Sequence, residues 1–178
     1  IKMNVKKQIF KGTLNAVVAG CMFGISGIFG QLFFRDYHGS PLWITSTRLT
    51  IAGIILLAMS FSRDHKRFFD VWKSKKNMPT LFLYVFGGVF SVQYFYYVAI
   101  QLSNSATATI LQYTAPVFIM LYLLIFQRQV PKPKSVLFVI LAMIGVFLLI
   151  TDGNIKHLSI SPLALVTGLI AAVAVVIY

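Results

Sequence analysis

Residues 77–127 run for 51 positions without a charged side chain. A helix crosses a hydrocarbon core of ~30 Å in roughly 20 residues, so this stretch is more than two spans long and must turn back on itself. Its one polar cluster, Gln101, Ser103, Asn104 and Ser105, falls near the middle. That position predicts two helices joined by a tight turn. In hydrocarbon every backbone amide and carbonyl needs an internal partner, which leaves helices as the economical reading of such runs.

The same count finds six spans, near residues 13–34, 41–62, 80–101, 105–126, 135–150 and 162–178. Ser40-Pro41 and Ser161-Pro162 each offer an N-cap followed by proline in the first turn, where the missing amide hydrogen has no helical partner to lose. The expected fold is an all-α, polytopic transmembrane helix bundle. The first apolar run is full length and is followed by others, unlike a cleaved secretory leader.

Charge then gives the orientation. Of sixteen Lys and Arg, thirteen fall before the first span, after the second or after the fourth, whereas Arg35 and Lys156 alone lie on the opposite side and Arg48 lies within a span. Cytoplasmic loops carry the cationic excess, so the N-terminus is expected in the cytoplasm and the protein in the cell membrane. The net charge of +12 therefore concerns topology, and no nucleic-acid partner is implied. In the 63–76 loop, Phe68, Phe69, Val71 and Trp72 alternate with cations, which suits either an interfacial helix on anionic lipid or an ordinary loop with an aromatic anchor. Trp43 suits an outer interfacial belt.

The chain has four acids, Asp36, Asp64, Asp70 and Asp152, and no Glu. Acid-base catalysis, intramembrane proton carriers and metal clusters thus have little to build on, and His38, His65 and His157 all fall in loops. No enzyme activity, metal or cofactor is expected. Cys21, the single cysteine, reads as a small buried residue.

Polar groups in hydrocarbon are costly and mark candidate solute paths. At 100° per residue, Ser91, Gln93, Tyr94, Tyr97 and Gln101 share an arc of about 160° with Gly87 on the third helix, while Val89, Val92, Phe95 and Ile100 lie opposite. On the fourth, Ser105, Thr109, Gln112 and Pro116 fall within about 60°. Pro116 has no amide hydrogen, so the Gln112 carbonyl loses its helical partner on that stripe. Either these groups line a solute site near the midplane, or they form an interhelical network around a kink. Arg48, about 10 Å into its helix at 1.5 Å per residue, either snorkels to the outer interface toward Asp36, or hydrogen-bonds helix-end carbonyls, or offers a cationic anchor to an anionic group such as a substrate carboxylate. Gly20 and Gly24 form a small-residue motif suited to close helix packing or sliding.

Displacing the sequence by 148 positions sets Ala16 on Ala164, Gly20 on Gly168 and Gly24 on Ala172. Such an internal repeat has a five-helix unit, and the odd number forces a second unit to enter from the opposite face, as in inverted-repeat carriers. The segments NAVVAGCMFGISGIFGQLFF, RLTIAG, FYYVAIQLSNSATATILQYTAPVFIMLY and AMIGVFLLITDG together resemble the EamA family of the drug/metabolite transporter superfamily. The resemblance implies a ten-helix carrier of two inverted five-helix units that moves small-molecule substrates, such as amino acids, by alternating access. On that reading residues 1–12 are a cytoplasmic N-terminus, 13–153 the first repeat, and 154–178 an external loop and a truncated sixth helix. A second five-helix half, in the same or another chain, is the implied partner. A non-transporting half that acts only when paired with a second membrane chain is the competing expectation.

Overall fold

A computed structural model describes residues 2–63, 78–128, 133–151 and 160–177. The described residues form helices α1 (Lys2–Tyr37), α2 (Pro41–Arg63), α3 (Met78–Leu102), α4 (Ser105–Phe126), α5 (Pro133–Thr151) and α6 (Pro162–Ile177). The architecture is all-helical, and α1 to α4 each contain a segment long and apolar enough to cross a membrane. The loop reading for 63–76 lies almost wholly outside the described residues, since α2 ends at Arg63.

Chain reversals follow local polar chemistry. Between α3 and α4 the turn consists of Ser103 and Asn104, and the Asn104 side chain accepts the Thr107 amide at 2.8 Å, an N-cap that satisfies one free donor. Ser161 caps α6 in the same manner, its Oγ accepting the Ala164 amide at 3.2 Å. At the start of α2 the Ser40 carbonyl accepts the Ile44 amide at 3.2 Å.

Two of the helices are irregular. Within α3, Leu83–Phe90 is a π-helix, in which carbonyls bond five residues ahead instead of four. The Ser91 hydroxyl donates to the Phe86 carbonyl at 2.7 Å, closing the wide turn from its far end. Helix α4 breaks between Ser105–Gln112 and Ala115–Phe126. There the Thr114 amide and hydroxyl both donate to the Leu111 carbonyl, at 3.1 and 2.7 Å, and the Val117 amide reaches only back to Thr114 at 2.9 Å. Pro116 supplies the cause, because its nitrogen cannot serve the Gln112 carbonyl and its ring crowds that same group.

Packing is concentrated around α6, which lies against α3 and both parts of α4. Its buried face is Ala164, Thr167, Gly168, Ala171, Ala172 and Ala174, and such small residues let helix backbones approach without relying on a hydrophobic drive that lipid does not supply. A Cβ added at Gly168 would stand 2.6 Å from Leu111 Cδ1 and 2.8 Å from Leu111 Cβ. Helices α1 and α2 each pack on α3 near their connecting turn. Away from it, residues 8–22 of α1, 54–62 of α2 and most described side chains of α5 are exposed.

Cys21 is exposed, correcting the expectation of a buried residue. It lies on the part of α1 that no other described helix covers. Gly20 and Gly24 share that surface, with nothing within 4 Å of a Cβ built on either. Among the described residues, close packing of α1 falls on Gly27 and Gly30, which are buried.

Candidate functional site

Helices α1, α2 and α3 converge on two adjacent tyrosines. Tyr96 and Tyr97, each 1% exposed, project from α3 against the glycine-bearing face of α1. Glycine there has a steric cause: a Cβ at Gly27 would lie 2.7 Å from Tyr96 Oη, and one at Gly30 would lie 2.6 Å from Tyr97 Cε1. Phe23 packs beside Tyr96 with ring centroids 5.2 Å apart, and Phe34 meets Tyr97 edge-on at 6.1 Å.

The tyrosine hydroxyls serve different neighbours. Arg48 Nη1 donates to Tyr97 Oη at 2.7 Å, and Ser26 Oγ lies 3.1 Å from the same oxygen. A charge-assisted bond of this length fixes the guanidinium relative to α3. Tyr96 Oη lies 3.0 Å from Thr109 Oγ1, whose own proton goes to the Ser105 carbonyl at 2.7 Å, so Tyr96 is the donor. Gln31 Oε1 accepts the Ser105 amide at 2.8 Å, tying α1 to the start of α4.

Beside Tyr97 opens a cleft of about 520 Å³, lined by Ser26, Phe29, Gly30, Leu32, Phe33, Asp36, Tyr37, Ile44, Arg48 and Tyr97. Its volume lies in the range of small-molecule sites, and its walls are mainly aromatic and aliphatic with a few convergent polar groups. Asp36 also borders the cleft, but its carboxylate is held by Arg35 Nε at 2.8 Å. Arg48 therefore reaches inward to Tyr97 rather than outward to Asp36. Trp43, at the entry end of α2, stacks on Phe33 with centroids 5.4 Å apart.

Of the residues singled out from the sequence, Arg48 and Tyr97 come together in direct contact. Ser91, Gln93, Tyr94 and Gln112 do not line this cleft. Tyr94 stacks on Phe90 at 5.9 Å, Ser91 is engaged with its own helix, and Gln112 is half-buried at the break in α4. Ser26, Gln31 and Tyr96 join the network without having been expected there. Ile100, placed by the wheel on the side away from the polar arc, is 1% exposed and belongs to the core.

Thr45, one turn before Arg48, is fully buried, and its hydroxyl has no hydrogen-bond partner among the described residues. An unsatisfied buried hydroxyl costs about 1–3 kcal/mol, and valine has the same shape without it. Thr45→Val is expected to raise the thermal unfolding temperature in detergent, by an amount equivalent to about 1 kcal/mol.

Comparison with known proteins gives a consistent result. The signature of the EamA-like transporter family matches residues 10–151, which takes in α1 through α5. The chain is also 34% identical over 168 residues to the uncharacterized inner membrane transporter YicL of Salmonella typhimurium strain LT2, covering 94% of this chain and 56% of that protein. The chain thus spans little more than half the length of this relative. No solved structure matches. A multi-helix membrane architecture over the matched residues and the family signature agree, and the chain belongs to the EamA-like transporter family.

Proposed function

We propose that the chain moves small metabolites, amino acids or amphipathic drug-like compounds among them, across the inner membrane by alternating access, in the direction of export. The observation that carries this reading is the cleft between α1, α2 and α3, where Arg48 of α2 donates to the Tyr97 hydroxyl, which Ser26 Oγ also meets. Thirteen cations on the N-terminal side support a cytoplasmic N-terminus, which puts the α1–α2 turn and the cleft mouth toward the outer face. The name of the Salmonella relative supports the inner membrane as the location.

A second five-helix unit, in this chain's continuation or another chain, completes the carrier on this reading. Support comes from the repeat. The face of α6 that is buried on α3 and α4, with Ala164, Gly168 and Ala172, is matched on α1 by Ala16, Gly20 and Gly24, all of which are uncovered. An inverted pair would bury this α1 face on the second unit as α6 is buried on the first.

The cleft can be tested by blocking it. In a cysteine-free background that transports normally, Leu32→Cys is expected to lose transport when a bulky thiol reagent is added. Leu124→Cys, on an exposed apolar surface of α4, is expected to be labelled without loss. Full transport after complete labelling of Leu32→Cys would remove the cleft from the solute path. Unchanged uptake kinetics in Gln112→Ala would likewise exclude the α4 break from it.

A further inference from the structure

We infer that the cleft selects solutes carrying a single net negative charge, a carboxylate on an apolar ring-sized body, over zwitterions and over uncharged analogues. The inference deepens the transport reading and rests on it for the role of the cleft, but it concerns charge selectivity, which that reading leaves open.

The two charges on the cleft wall are differently partnered. Arg48 is the sole cation among its described lining residues, and Asp36 the sole carboxylate. Asp36 is exposed and already paired with Arg35 at 2.8 Å. Arg48, by contrast, has a hydroxyl as its partner and no acid among the described residues, since its Nη1 donates to Tyr97 Oη. A guanidinium has five N–H donors in a planar fork, so one bond to Tyr97 leaves the others for a ligand while fixing their direction. A half-buried cation without a counter-ion among the described residues gains most from an anion that brings one charge and two acceptor oxygens, which is the geometry of a carboxylate.

The remaining wall sets the rest of the ligand. Phe29, Leu32, Phe33 and Ile44 offer an apolar surface suited to an aromatic or branched body. A zwitterion would add an ammonium, and the one carboxylate on the described wall is exposed and already shared with Arg35, so the ammonium gains less there than the anion gains at Arg48. A phosphate dianion would need a second cation, which the described lining lacks. Tyr97 acts as a positioning residue, holding the guanidinium through its oxygen.

Equilibrium binding of radiolabelled 3-phenylpropionate to the purified full-length protein tests this directly. Saturable binding is expected, with phenylalanine, 3-phenylpropanamide and inorganic phosphate each at least tenfold weaker as competitors. Arg48→Gln is expected to weaken binding at least tenfold, and Arg48→Lys to fall between. Phenylalanine or phosphate competing as well as 3-phenylpropionate itself, or no saturable binding at all, would overturn the inference on the unaltered protein, without depending on how the Arg48 variants fold. Binding with the expected order in a protein whose transport survives cleft labelling would leave the anion site standing and remove the transport reading. Transport lost on labelling, with zwitterion and anion bound equally, would do the reverse.

Discussion

Gly30→Ala is expected to lower transport about thirtyfold while the protein still inserts in the membrane. The added Cβ would stand 2.6 Å from Tyr97 Cε1 and 3.1 Å from Cδ1, and the ring it meets is buried and bonded at its far end to Arg48 and Ser26. Relief requires either α1 to move away from α3 or Tyr97 to leave Arg48. Overpacking of this kind costs about 2 kcal/mol, and a working arrangement raised by that much against a relaxed one is populated roughly thirtyfold less. Initial uptake rates at matched expression measure it. Tyr97→Ala in the same chain is expected to restore neither stability nor transport, because it trades the clash for the cavity left by a buried ring and removes the positioning bond as well. Native transport by the single variant would show that the α1–α3 contact has slack that the geometry does not suggest.

Gly168→Leu is expected to have the largest effect on stability. The contact it would violate is with Leu111 Cβ at 2.8 Å, an atom attached directly to the backbone of α4, so no side-chain rotation relieves it. Leucine would also drive its branched end into the face where α6 meets α3 and α4. The expected destabilisation is about 3 kcal/mol, read as a lower unfolding temperature and a smaller monodisperse fraction after detergent extraction. Gly20→Leu, its counterpart under the 148-residue displacement, meets no atom within 4 Å of the new Cβ. Destabilisation by Gly20→Leu that appears only when a second five-helix unit is present would support the paired arrangement.

Span length and charge counting located the helices well because both depend on single properties of hydrocarbon: its thickness and its intolerance of ions. The residue 41 and 105 starts, the 103–104 turn and the position of Arg48 inside α2 all follow from these. The identity of Arg48's partner did not. A helical wheel shows which residues share a face, but lipid tails are as apolar as a protein interior, so hydropathy does not say which face meets another helix. Ile100 and Tyr96 were therefore hidden from it. Phase was a second obstacle. The π-helix at Leu83–Phe90 does not advance by 100° per residue, so Gly87 cannot be carried onto the face of Tyr97 by that step. Ser26 and Gln31 required knowing that α1 crosses α3 at Gly27 and Gly30, which is a three-dimensional fact.

The contact between those glycines and the tyrosines also bears on how readily such a carrier could change its preferences over evolution. Tyr97 is at once the spacer between two helices and the residue that aims Arg48. A substitution there alters specificity and packing together, so single steps at position 97 meet two selective demands and few alternatives satisfy both. Phe29 and Leu32 border the same cleft but are exposed, with less of the bundle depending on them. Diversification of the accepted solute is thus expected to accumulate at Phe29 and Leu32, around an anchor that stays fixed.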